Sequence, residues 1–125
     1  ARGHGRMEKE IRSVARGNGI SDRVDILETG SLGHLTRYCA GMITINSTSG
    51  LAAIAHGRPL LVVGRSIYSH PELAICADGN PDFDTFWENG LVADESLRKS
   101  FLAWISREAL VSGSFYTREG RKIAV

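Results

Sequence analysis

The chain has 125 residues, of which 42% are hydrophobic and 23% are charged. This length suits one domain, and the composition is that of a soluble globular protein, which excludes a chain that is disordered throughout. The net charge of +1 excludes the strong basic field that draws proteins to nucleic acid or to an anionic membrane.

The first part of the chain predicts a helix, a strand and a second helix. Residues 4–15 carry apolar side chains at helical spacing, and Gly17 lies where that helix should end. Residues 23–27 predict a short strand. Residues 31–40 predict a short helix that begins at Ser31 as its cap.

The middle of the chain alternates strands with a helix. Residues 42–46 predict a second strand, residues 48–57 an alanine-rich helix, and residues 59–63 a third strand. The third strand is apolar at every position after its proline, a pattern typical of a parallel sheet buried on both faces. The order α-β-α-β-α-β therefore predicts an α/β fold with three layers and a Rossmann-like parallel sheet.

The last third of the chain predicts a loop over residues 64–81 and helices over residues 82–90 and 95–111, the first of them capped by Asp82. An aromatic stripe on these helices is expected to lie in the core or at a contact between lobes: Phe83, Phe86, Trp87, Phe101 and Trp104. An uncovered edge of the sheet would allow a homodimer to form.

Five polar or small residues follow the second predicted strand: Asn46, Ser47, Thr48, Ser49 and Gly50. Ligands of open α/β sheets bind outside the carboxyl ends of the strands, and the backbone amides at a helix start attract anions. Three hydroxyls would add donors, and the glycine would let an anion approach the backbone. Simple capping of the helix by Asn46 or Ser47 is the alternative, and the residues alone leave both interpretations open.

Three further residues follow strands at the same predicted edge. Arg65 would meet a phosphate or a sugar carboxylate through two parallel hydrogen bonds, or would be an ordinary exposed arginine. Glu28 would bond a ribose or act as a base, and a solvated loop carboxylate is the favoured interpretation. Tyr68 would either stack on a base or pack the loop.

Several other chemistries have no support in the sequence. The four histidines are scattered without metal-ligand spacing, and the cysteines, Cys39 and Cys76, predict free thiols in a reducing cytoplasm. Hydrolase, P-loop and dinucleotide motifs are absent from the sequence. No apolar run approaches the roughly 20 residues that span a bilayer. We therefore expect no metal, no cofactor and no nucleic acid partner.

A longer motif, ITINSTSGLAAIAHGRPLLVVGRSIYSHPEL at residues 43–73, resembles the capsule polysaccharide biosynthesis family, which includes bacterial Kdo transferases. The segments FDTFWENG at residues 83–90 and GSFYTREG at residues 113–120 resemble two further signatures of that family. The similarity covers most of the chain. It implies that residues 1–125 form the C-terminal, nucleotide-sugar-binding lobe of a two-lobed GT-B glycosyltransferase, as a piece of a longer protein.

The resemblance also implies a donor and its site. Family members are expected to use a CMP-linked sugar acid, usually CMP-Kdo, to build the glycolipid that carries a capsule chain. Residues 46–50 would hold the CMP phosphate, and Gly30 and Ser31 would line the same edge. The family's His-Pro motif is expected before the first helix, so its nucleotide role is not assigned to His70 and Pro71.

The remaining partners follow from the same resemblance. The N-terminal lobe and a glycolipid or polysaccharide acceptor are expected outside this chain, which leaves the catalytic residues unassigned and the isolated lobe inactive. A cytoplasmic location is implied, and an association with the inner membrane through the capsule assembly machinery is left open. The alternative is a non-catalytic capsule assembly or export module with the same fold.

Overall fold

The structure is a computed structural model that describes residues 2–77 and 80–112, and the chain divides into two units after Gly30. The first unit contains helix α1, Arg2–Gly17, and a 3-10 turn, Ser21–Arg23. The predicted first helix is therefore confirmed. Beyond it, Gly19 has a φ of 68° and the amide of Ile20 donates to the carbonyl of Ala15 at 2.9 Å, a helix ending that needs a glycine.

The strand predicted over residues 23–27 is wrong. Val24 does have extended backbone angles, with φ −119° and ψ 118°, but its amide donates to the carbonyl of Ser21 at 3.4 Å. A strand exists only when a neighbour completes its hydrogen-bond ladder. Val24 therefore has the extended backbone that its sequence favours, but it is not paired in a ladder.

The second unit is built on a parallel sheet of three strands in the order β1 (Met42–Thr44), β2 (Leu60–Val62) and β3 (Ile75–Cys76). All three residues of β2 are fully buried, as expected for the central strand of a parallel sheet. The third strand lies inside the predicted loop over residues 64–81. Two residues are too few to show a hydrophobic period, so only the pairing with β2 reveals this strand.

Four helices accompany the sheet: α2 (Leu32–Tyr38), α3 (Ser49–His56), α4 (Phe83–Asn89) and α5 (Glu95–Ser112). Helix α3 packs on β1 and β2, and α2 and α5 pack against α3. An α/β fold with a parallel sheet is therefore confirmed, and it is consistent with a Rossmann-like arrangement. Three layers and a GT-B lobe stay predictions. No helix in the part of the chain that the structure describes is long and apolar enough to span a membrane.

The core of the second unit lies between α3, the sheet and α5. Its buried side chains belong to Leu51, Ala53, Ile54, Leu60, Val62, Tyr68, Leu73, Ala74, Ala93 and Ile105. The aromatic stripe expected in the core enters it only in part. Phe86 is buried and Phe101 packs partly against the core, whereas Phe83, Trp87 and Trp104 are about half exposed.

Side chains cap three of these helices. The Ser31 hydroxyl accepts the amide of His34 at 3.2 Å, and the Asp94 carboxylate accepts the amide of Leu97 at 3.3 Å. The Asp82 carboxylate accepts the amide of Thr85 at 3.1 Å and its hydroxyl at 2.7 Å, and these bonds lower the pKa of Asp82 below its usual value. The predicted caps at Ser31 and Asp82 are confirmed.

Arg98 ties the start of α5 to the end of α3. Its Nη1 donates to the carbonyl of Ile54 at 2.9 Å and to that of Ala55 at 3.4 Å, while its Nε donates to the carbonyl of Ala93 at 3.0 Å. The last carbonyls of a helix have no partner within the helix. A cation that bonds them also meets the negative end of the helix dipole.

We predict that Arg98→Met lowers the free energy of unfolding by about 1–3 kcal/mol, because part-buried carbonyls lose charge-assisted donors. Urea unfolding followed by circular dichroism measures this loss. Lys99→Met is the matched control on the same helix, since Lys99 forms only an exposed ion pair with Glu95. A control variant that is as unstable as Arg98→Met would contradict the assignment.

Candidate functional site

The turn after β1 and the loop after β2 meet at the carboxyl edge of the parallel sheet. The amides of Val63 and Gly64 donate to the carbonyls of Thr44 and Ile45, both at 2.9 Å. A Cβ at Gly64 would lie 2.8 Å from the Ile45 carbonyl oxygen, so this approach requires a glycine. The two segments therefore stand side by side where open α/β sheets bind their ligands.

The turn that leads into α3 satisfies most of its own amides. The Ser47 amide donates to the Thr44 hydroxyl at 3.2 Å, and the Ser49 amide donates to the Ser47 hydroxyl at 3.1 Å. The amides of Gly50 and Leu51 donate to the carbonyls three residues earlier, at 3.1 and 3.0 Å. The first helical amides are thus bonded within the turn.

Of the two capping residues expected for α3, Ser47 bonds the first helical amide, although Thr48 holds the N-cap position. The N-cap residue is Thr48, whose side chain makes no capping hydrogen bond, and Ser47 serves the amide of Ser49 instead. Asn46 accepts no capping bond among those of the described residues. The Thr48 hydroxyl is therefore not consumed by the helix, and Asn46, Ser47 and Thr48 are all exposed.

The side chain of Tyr68 packs against the buried side of this turn. Its side chain is 1% exposed, its hydroxyl donates to the Ser47 carbonyl, and its ring lies against Gly50. A Cβ at Gly50 would lie 2.4 Å from the ring. Of the two roles expected for Tyr68, the structure therefore favours packing over stacking on a base. It also gives Gly50, which is itself buried, a packing reason to be a glycine.

A pocket of about 250 Å³ opens at this edge and is called the edge pocket below. Its lining residues are Asn46, Thr48, Leu51, Arg65, Ser66, Ile67 and Tyr68. The structure thus brings together Asn46, Thr48 and Arg65 from the predicted site residues, and Arg65 is exposed. Ser47, Ser49 and Gly50 belong to the same turn without lining the pocket.

Each of the remaining predicted site residues has its own local surroundings. Ser31 is engaged as the cap of α2, and Gly30 ends the first unit with a φ of 147°. Glu28, also in the first unit, lines a separate pocket with Met7 and Ile11. Ligand roles for these residues stay predictions.

Two lining residues of the edge pocket, Ser66 and Ile67, are not among the residues that the sequence predicts. They follow Arg65 directly, in a loop whose path is set by the Ser66 amide donating to the Ser69 hydroxyl at 2.8 Å. The signal that could have found them is the position of Arg65 itself. Residues next to one at the carboxyl end of a parallel strand share its edge.

The described residues also bear on metal binding and on thiol reactivity. No group of three His, Cys, Asp or Glu side chains within residues 2–77 and 80–112 could hold a metal ion. Cys39 and Cys76 are free thiols, and burial raises the pKa of Cys76 above its ordinary value. A raised thiol pKa lowers the thiolate fraction at neutral pH.

The fold and the edge pocket define an α/β domain with a pocket of polar and apolar residues at the carboxyl edge of its parallel sheet, where such domains bind small ligands. The family described as capsule polysaccharide biosynthesis protein matches residues 2–116. This chain belongs to that family. The resemblance read from the sequence is thereby confirmed, although its segment at residues 113–120 lies outside the described residues.

Individual relatives support the same family. The chain is similar to the capsule polysaccharide export protein KpsS of Escherichia coli, with 26% identity over 92% of this chain and 28% of that protein. It is 33% identical to the capsule polysaccharide modification protein LipB of Neisseria meningitidis, over 66% of this chain and 19% of LipB. Protein FixF of Sinorhizobium fredii is 28% identical over 83% of this chain and 26% of its own length.

The chain therefore spans less than a third of the length of each of these curated relatives. All three relatives are bacterial proteins, and two of their names refer to capsule polysaccharide. No solved structure matches the chain.

We predict that Gly50→Ala destabilises the second unit by about 1–3 kcal/mol, because the new methyl group overlaps the buried Tyr68 ring. Gly33→Ala is the matched control, since Gly33 lies inside α2 with nothing within 4 Å of its Cβ position. The control should be neutral or more stable by up to about 1 kcal/mol. Equal effects of both changes on urea unfolding would show that the Tyr68 ring does not pack on Gly50.

Proposed function

We propose that this chain is the nucleotide-sugar-binding lobe of a bacterial capsule glycosyltransferase whose donor is a CMP-linked sugar acid such as CMP-Kdo. Membership of the capsule polysaccharide biosynthesis family supports the general role. The edge pocket is the observation that supports nucleotide binding, because it brings the cation of Arg65 together with the polar side chains of Thr48 and Asn46. This combination suits a phosphate at the start of a helix.

The phosphate would be held chiefly by side chains. The amides of Ser49, Gly50 and Leu51 are already bonded within the turn, so they would act through the helix dipole rather than as direct donors. The first turn of α3 contains no acidic residue that would cancel the positive end of this dipole. Arg65 would supply the charge and Thr48 a hydroxyl donor.

The same groups would assist the transfer reaction. Negative charge develops on the leaving CMP phosphate as its bond to the sugar breaks. A guanidinium and a helix dipole that are both directed at that phosphate would stabilise this charge. The acid or base that acts on the acceptor would come from the N-terminal lobe, and the acceptor would be a glycolipid or a polysaccharide.

A non-catalytic capsule assembly or export module is the second candidate. One specific observation favours it: the amides of the turn before α3 are occupied by Ser47 and Thr48, which weakens the usual anion site of a helix start. The names of KpsS and LipB, which refer to export and to modification, agree with either candidate.

We predict that the chain binds CMP and that Arg65→Met weakens this binding at least tenfold, because a charge-assisted hydrogen bond contributes about 1.5–3 kcal/mol. Isothermal titration calorimetry at low salt measures both affinities. Arg107→Met removes an exposed arginine from α5, away from the edge pocket, and should leave the affinity unchanged. Thr48→Val should weaken binding by a smaller factor.

Two outcomes would reject this proposal. The first is a wild-type chain that takes up no CMP at millimolar concentration. The second is an affinity that Arg65→Met and Arg107→Met reduce equally, since nonspecific attraction to positive charge would then explain the binding. If CMP binds but the full-length protein transfers no sugar from CMP-Kdo, the non-catalytic module is favoured.

A further inference from the structure

A second pocket of the same unit, of about 300 Å³, lies where the loop after β2 meets α5. It is called the α5 pocket, and the residues used here are His70, Glu72, Ser100, Phe101 and Trp104. None of them belongs to the edge pocket. Aromatic and polar groups therefore share a concave surface that the proposed CMP site does not use.

The aromatic part of the α5 pocket lies beside the core and still faces solvent. Phe101 and Trp104 are one helical turn apart, with ring centroids 6.1 Å apart and ring planes 35° from parallel. Ile105, which is 4% exposed, anchors this part of α5 in the core. The neighbouring Trp104 nevertheless remains 46% exposed. An indole in this position offers a flat apolar surface and has few rotatable bonds to order on binding.

The polar part of the α5 pocket combines donors with acceptors. The amide of Glu72 donates to Nδ1 of His70 at 3.2 Å, so Nδ1 acts as an acceptor and the neutral ring carries its proton on Nε2. The Glu72 carboxylate accepts hydrogen bonds, and the Ser100 hydroxyl both donates and accepts. Glu72 and His70 are both exposed, so neither is withdrawn into the core.

These features select one class of ligand. A pyranose ring has an apolar C–H face, which packs on an aromatic ring, and a rim of hydroxyls, each able to donate and accept. An acyl chain would pack on the apolar part of the pocket but would leave His70 and Glu72 without the hydrogen bonds that they can form. A sugar acid would bring its negative charge towards the Glu72 carboxylate.

We propose that the α5 pocket binds a neutral pyranose unit of a saccharide chain, with the ring on Trp104 and the hydroxyls on His70, Glu72 and Ser100. This is a carbohydrate site separate from the donor pocket. Pockets of this type combine an apolar surface with a few polar groups that fix orientation.

One bonded loop connects the α5 pocket to the edge pocket. Tyr68 lines the edge pocket and His70 the α5 pocket, and the His70 amide donates to the Tyr68 carbonyl at 2.8 Å. The amides of Ser69 and Leu73 donate to the carbonyls of Ser66 and His70, at 3.0 and 2.8 Å. An acceptor role for the bound saccharide would rest on the proposed function, whereas saccharide binding does not.

The test is an array of neutral hexopyranose oligosaccharides and acidic oligosaccharides, probed with the fluorescently labelled chain. We expect binding to neutral members, with Trp104→Ala weakening it at least tenfold and Glu72→Gln weakening it severalfold. Trp87→Ala is the matched control, because Trp87 is 53% exposed and lies on α4 outside the pocket. It should retain binding within twofold.

Fluorescence supplies a second measurement that does not depend on the fold of a destabilised variant. In a Trp87→Phe background, Trp104 is the only tryptophan, and a bound neutral oligosaccharide should change its emission. Binding to acidic glycans alone, binding to no glycan, or equal losses in the two tryptophan variants would overturn the proposal. Arg65→Met should bind saccharide normally, so failure of the CMP site is distinguishable from failure of this one.

Discussion

The carboxyl edge of the sheet, where the edge pocket lies, depends on one contact. The buried side chain of Tyr68 packs against the turn before α3. Its ring fills the space that Gly50 leaves, and its hydroxyl bonds the Ser47 carbonyl. This contact fixes the loop after β2 against the turn after β1. The edge pocket exists because these two segments are held together, and the same loop continues into the α5 pocket.

A turn that bonds its own amides changes how an anion would be recognised. In a glycine-rich phosphate loop, free backbone amides surround the ligand and side chains add little. Here the amides of Ser49 and Gly50 are bonded by Ser47, so they have partners in the absence of ligand. In the proposed site, recognition would therefore pass to side chains, chiefly Arg65, whose planar guanidinium suits a phosphate better than a single point charge does.

The sequence correctly predicts those helices and strands whose residue patterns are local and extend over enough positions to be recognised. The buried run that forms β2, the glycine that ends α3 and the serine that caps α2 each impose their structure through neighbouring residues. The two errors in strands concern pairing, because Val24 is extended without a partner and β3 is a strand only through β2. Gly50 shows the same limit: its role is set by Tyr68, which is distant in sequence.

The electrostatics of α3 strengthen the case for an anion at its start, even though its amides are bonded. At the carboxyl end, Arg98 places a cation on the carbonyls of Ile54 and Ala55 and so offsets the negative pole of the dipole. At the amino end, the bonds come from the neutral oxygens of Ser47 and Thr48, and no acidic side chain occupies the first turn. Neutral acceptors satisfy the amides without supplying a compensating negative charge. A charged side chain therefore offsets the dipole of α3 only at its carboxyl end, and the positive pole lies at the turn that forms part of the edge pocket.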